Sequence, residues 1–97
     1  MLRHIVLIKF KPDVTEDQRA AYRAAVQRFP EEIPEVLSLQ CGDNVGSGPN
    51  HHDFAVVADF EDMAAFRRYI DGPHHKAYVE QHARKMVASL SAIQHEL

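Results

Sequence analysis

The stretch Leu2-Arg3-His4-Ile5-Val6-Leu7-Ile8-Lys9-Phe10 reads as a β-strand, rich in β-branched and apolar residues. Alternation puts Leu2, His4, Val6, Ile8 and Phe10 on one face and Arg3, Ile5, Leu7 and Lys9 on the other. Both faces have apolar centres, which predicts a central strand covered on both sides. Lys11-Pro12-Asp13 ends it, because proline cannot donate to a β-ladder.

Working outward, Thr15-Glu16-Asp17-Gln18 is a capping-box pattern, with Thr15 as N-cap and Gln18 reaching back. Tyr22, Ala25, Val26 and Phe29 then follow at the spacing of one apolar helix stripe, and Pro30 and Pro34 stop the helix. Residues 36–45 predict a second strand, with Leu37, Leu39 and Cys41 on one face. Gly46-Ser47-Gly48-Pro49-Asn50 predicts a turn or loop. Residues 54–60 predict a third strand, with Phe54, Val56, Ala58 and Phe60 on one face. A second helical region follows, with Met63, Phe66 and Ile70 on its buried stripe. Gly72-Pro73 breaks it, and helix resumes near His74 and runs to about Val87, with His75, Tyr78, Val79, His82 and Met86 on its stripe. The tail 89–97 predicts a fourth strand. The order β-α-β-β-α-β predicts an α+β, ferredoxin-like protomer: an antiparallel four-stranded sheet with its helices on one face. The opposite face keeps Ile5, Leu7 and Val57, more apolar surface than a chain this small covers alone. A second copy of the chain is the simplest cover, predicting a homodimer.

Ninety-seven residues leave room for one domain, residues 1–97. The chain is 45% hydrophobic and 26% charged, which excludes a disordered tail or a fibre. No apolar run approaches the roughly 18 residues of a membrane span, and no secretory signal pattern stands at the start. The net charge of −3 comes from interspersed charges, leaving no basic face for nucleic acid or membrane. The single Cys41 forms no internal disulfide, which fits a cytoplasmic location.

Five pieces, taken in order, carry a family resemblance. They are His4-Ile5-Val6-Leu7-Ile8-Lys9-Phe10-Lys11, Ile33-Pro34-Glu35-Val36, Gly42-Asp43-Asn44, residues 53–62, and Tyr69-Ile70-Asp71-Gly72-Pro73-His74-His75 with Tyr78-Val79 behind it. On these the chain resembles the stress-responsive dimeric α/β-barrel (Dabb) family, which includes olivetolic acid cyclase-like proteins. The resemblance implies a ferredoxin-like protomer and a homodimer whose sheets close into a barrel. It also implies a small organic ligand in a cavity between sheet and helices. In the cyclase-like members a histidine acts as general base without a cofactor, and a tyrosine orients and polarises the substrate. His75 and Tyr69 match those two positions. His4 matches a cavity histidine, and Ile8, Tyr22, Val26 and Val56 match pocket-lining positions. Gly72 and Phe54 stand where the cyclase has further histidines, so its substrate does not carry over.

The same residues have plainer readings. His75 with Tyr69 forms either an acid–base pair, the imidazole taking a proton beside a carbonyl and the phenol holding the enolate, or a helix-start cap beside a packed ring. His4 is either a cavity residue or a hydrogen-bonded core histidine, expected to neighbour Asp59 or Phe60. His82, on the stripe of His75, either lines the same pocket or packs beside Met86. His51-His52 and His74-His75 lack the spacing of a metal site. Cys41 reads as a structural residue on an apolar face. Three functions follow: a cofactor-independent cyclase- or lyase-type enzyme, a non-catalytic stress-related binding module, or, by fold analogy alone, a cofactor-free monooxygenase.

Overall fold

Strand β1, Leu2–Phe10, is paired along both edges, which makes it a central strand of the sheet. It runs antiparallel to β3, Phe54–Phe60, and to β4, Val87–Glu96. With β2, Ser38–Asp43, beside β3, the sheet has the order β2-β3-β1-β4 and is antiparallel throughout. The computed structural model describes residues 1–97.

β1 and β3 have the bounds their alternation predicts. β2 is shorter than the expected 36–45, because β3 offers ladder partners only from Ser38 (opposite Asp59) to Asp43 (opposite Phe54). β4 begins earlier than expected, since Val87 already pairs with Phe10 across an irregularity after Lys9. His4 sits opposite Ala58, because Leu2 takes Phe60 as its ladder partner, and the His4 ring meets the expected neighbour Phe60 edge-on with centroids 6.5 Å apart.

Helix α1, Glu16–Gln27, opens on the expected capping box: Thr15 N–H donates to Gln18 Oε1 at 2.8 Å, and Gln18 N–H donates to Thr15 Oγ1 at 3.2 Å. Tyr22, Ala25, Val26 and Phe29 are buried as expected. Pro30, however, does not end the helical path. It lies in the first turn of a short helix α2, Phe29–Glu32, where its missing N–H costs no hydrogen bond.

Helix α3, Met63–Asp71, is capped by Asp62, whose Oδ1 accepts from Ala65 N–H at 2.9 Å. Its inner face differs from the expected stripe. Ala65 and Tyr69 are buried, Phe66 and Ile70 are half-buried, and Met63 is exposed. At about 100° per residue, Met63 lies roughly 90° from the centre of the face those four residues make. After Gly72 the chain continues as α4, Pro73–Tyr78, a π-helical turn, Val79–Ala83, and α5, Arg84–Met86. The uninterrupted helix expected from His74 to Val87 is thus divided by a wider turn.

All these helices pack on the sheet face that carries Ile8, Phe10, Phe54, Val56, Ala58 and Phe60, the centre of the core. No element of the chain covers the other face. There Ile5 stands between Val57 and Ile93, and Leu7 and Ile93 are exposed. One part-exposed ion pair interrupts this apolar surface: Arg3 grips Asp59 through Nε at 2.8 Å and Nη2 at 3.0 Å, and Ser38 Oγ donates to Asp59 Oδ2 at 3.0 Å. No helix is long and apolar enough to cross a membrane.

Candidate active site

Gly72 and Pro73 decide how the candidate site forms. In one unbroken helix Tyr69 and His75 would point about 120° apart, since six residues advance the helix by about 600°. Gly72 instead adopts extended backbone (φ −77°, ψ 162°), with its N–H donating to Tyr69 C=O at 3.2 Å. A Cβ here would lie 2.9 Å from the Arg68 carbonyl oxygen, so the close approach requires glycine. Pro73 supplies the preset φ that starts α4. The break brings the two rings together, with centroids 4.9 Å apart and planes at 69°.

Both rings border a cavity of about 400 Å³ between sheet and helices, within the range of small-molecule sites. The sheet supplies His4, Val6, Ile8 and Val56 as one wall, with Leu90, Ala92 and Gln94 along the β4 edge. Val26 and Phe29 close it from α1 and α2. Phe66, Tyr69 and Ile70 come from α3, and His75 and Tyr78 from α4. The wall is mainly apolar, with a few polar groups converging from different elements.

His4 is buried, tilted against Phe66 with ring centroids 4.8 Å apart. Its Nδ1 lies 2.8 Å from Nε2 of Gln94, its cross-strand partner on β4. An amide nitrogen only donates, so Nδ1 accepts and the ring proton sits on Nε2. Burial, helped by the neighbouring His75, lowers the His4 pKa to about 4. Burial alone lowers that of His75. Both are therefore neutral at physiological pH. Burial raises the pKa of Tyr69 and Tyr78, so both remain protonated donors. A neutral imidazole between two phenols can take a proton from carbon while a phenol stabilises the oxygen that gains charge.

The cavity thus brings together six of the sequence-predicted residues: His4, Ile8, Val26, Val56, Tyr69 and His75. Tyr22 does not line it. It lies behind the wall, fully buried, with its hydroxyl hydrogen-bonded to that of Tyr78. His82 does not line it either. The wider π-helical turn leaves its ring edge-on to Tyr22 at 6.4 Å, and burial with Arg28 and Lys85 nearby lowers its pKa. Sequence reasoning missed Tyr78, Phe29, Phe66 and Gln94 as cavity residues. The first three stood on apolar helix stripes, a visible signal read as packing. Gln94 had none, being one polar residue in a strand with little pattern.

Other candidates lie elsewhere. Cys41 is half-buried on β2 away from the cavity, and burial raises its thiol pKa. His74 faces Glu32 on the surface at 4.0 Å. No three His, Cys, Asp or Glu side chains gather as a metal site.

An uncharacterized protein of Streptomyces coelicolor is 32% identical over 82 residues, covering 81% of this chain and 84% of its own length. A dimeric ferredoxin-like protein of unknown function from Thermobifida fusca is 35% identical, with a TM-score of 0.87 over 99% of this chain and 90% of that one. A hydroxynitrile lyase from Passiflora edulis shares the fold at 16% identity, with a TM-score of 0.88 over 99% of this chain and 92% of that one. The family model of the stress responsive A/B barrel domain matches residues 2–96, the span that supplies every wall of the cavity, and the chain belongs to that family.

Proposed function

We propose that the protein is a dimeric α/β barrel that binds a small carbonyl compound in this cavity and carries out acid–base chemistry on it. His75 is the general base, and Tyr69 is the donor that polarises the carbonyl. His4, Ile8, Val26 and Val56 shape the pocket, while Tyr22 and His82 support it from behind. The observation that carries the reading is the convergence of Tyr69 and His75 on one apolar cavity through the Gly72–Pro73 break. An apolar wall keeps His75 neutral and so able to accept a proton. The same wall strengthens a hydrogen bond from Tyr69 to a developing enolate. The similarly folded hydroxynitrile lyase is consistent with carbonyl chemistry on this architecture. The homodimer rests on the uncovered apolar face with Leu7 and Ile93, and on the dimeric relative from Thermobifida fusca.

The chemistry can be tested without knowing the natural substrate. Butyrophenone exchanges the protons beside its carbonyl slowly in heavy water, and the protein is expected to accelerate that exchange. His75→Ala should return it to background, a loss of about 100-fold or more for a general base. Tyr69→Phe should lower it while leaving ketone binding measurable. No acceleration by the native protein would remove the catalytic part of the proposal.

A second reading, a non-catalytic binding module, is favoured by one observation. Burial is the cause of the His75 shift, and no carboxylate or amide side chain of the chain hydrogen-bonds to its ring. Catalytic bases are commonly oriented by a third group. Ketone binding with no proton exchange is the result this reading expects.

A further inference from the structure

We infer that Tyr78 is a second oxygen-binding hydroxyl of the cavity, held in place by Tyr22, and that the ligand carries two acceptor oxygens, one for Tyr69 and one for Tyr78. The inference rests on the carbonyl-binding reading above and adds the ligand's oxygen pattern to it.

The argument starts from proton counting. Two phenols carry two hydroxyl protons, and the hydrogen bond between Tyr22 and Tyr78 uses one. No other group of the chain shares that hydrogen bond, so one proton of the pair has no acceptor within the protein. Tyr22 is completely enclosed, and its ring packs edge-on against Phe10 and Phe54 in the core. If its proton were the spare one, it would be stranded where neither water nor ligand reaches, the costly arrangement for a buried donor. With Tyr22 donating to Tyr78, the spare proton belongs to Tyr78, the member of the pair that lines the cavity.

Position supports the same assignment. His75 lies between two phenols, with ring centroids 4.9 Å from Tyr69 and 5.6 Å from Tyr78. Tyr78 also lies close enough to Tyr69 to add to the rise in the Tyr69 pKa, behind burial as the larger cause. Both stay protonated, as donors to a ligand must. A molecule with its reactive carbon facing His75 would therefore meet a hydroxyl donor on either side. Two oxygens flanking that carbon, as in a dicarbonyl compound, give each hydroxyl its own acceptor. Tyr22 is then a positioning residue that fixes the Tyr78 ring and uses up one acceptor site of its oxygen.

Calorimetric titration with two probes tests the inference. One is benzoylacetone methylated twice at its central carbon, which cannot enolise between its carbonyls. The other is butyrophenone methylated twice beside its carbonyl, which matches the diketone except for the second oxygen. The native protein should bind the diketone more tightly by about two- to tenfold, the span of one net hydrogen bond. Tyr78→Phe should abolish that preference and leave the monoketone affinity in place, with the melting temperature confirming an intact fold. Tyr22→Phe should reduce the preference by freeing the Tyr78 hydroxyl to turn. Equal binding of both probes to the native protein, or equal weakening of both by Tyr78→Phe, would overturn the inference and leave the carbonyl-binding reading standing. Failure of the native protein to bind either probe would overturn both. An unchanged preference in Tyr22→Phe would contradict the positioning role.

Discussion

His4 links strand register to electrostatics. Its place opposite Gln94 on β4 supplies the hydrogen bond that fixes its tautomer, and its burial lowers its pKa from 6.5 to about 4. The folded value lies below the unfolded one. Above pH 6.5 both states are neutral and the His4 contribution to stability is intact. Between pH 6.5 and about 4 the unfolded chain takes up a proton that the folded chain refuses, and stability falls with pH. At about 1.4 kcal/mol per pH unit, the loss attributable to His4 approaches about 3 kcal/mol. His75 and His82 act in the same direction, so a variant is needed to isolate His4. Urea unfolding at neutral pH and near pH 4 should show a smaller loss for His4→Gln than for the native chain. An equal loss in both would assign the acid sensitivity elsewhere.

The break between α3 and α4 is where local backbone geometry controls the site. An added Cβ at Gly72 meets the Arg68 carbonyl at 2.9 Å, so Gly72→Ala forces α4 away from α3. The expected cost is about 1–3 kcal/mol, typical of overpacking, together with loss of proton exchange as His75 leaves Tyr69. Thr15→Ala, which removes the α1 cap, should cost about 1 kcal/mol and leave exchange unchanged. Thermal melts and the exchange assay on both variants separate fold from site. Local signals of this kind explain which elements were legible in the sequence. β1 and β3 are central strands whose pattern is set by burial on the helix face, and the capping box is a short-range motif. β2 and β4 lie at the sheet edges, where pairing partners rather than pattern fix the ends. Met63 misled because it opens a helix capped by Asp62 whose inner face is centred on Ala65, Phe66, Tyr69 and Ile70. The π-helical turn leaves no mark in a hydrophobic stripe, so His82 was grouped with His75. Within the site, the Tyr69–His75 pair came from family resemblance. The role of Tyr78 emerges only once its hydroxyl is seen against Tyr22.

At the scale of the molecule, the sheet divides two tasks. Its helix face builds a core and a cavity, while its open face presents Ile5, Leu7, Val57 and Ile93 around the Arg3–Asp59 pair. On the proposal above, a second copy covers the open face and leaves one cavity per protomer beneath the helices. Native mass spectrometry with butyrophenone present measures subunit number and ligand number together. Ala92→Trp, placed on the cavity side of β4, serves as the comparison because it fills the pocket without touching the open face. The account predicts a dimer that takes up two ketone molecules, and an Ala92→Trp dimer that takes up none. A monomer, a native protein that binds no ketone, or ketone binding that survives Ala92→Trp would contradict it.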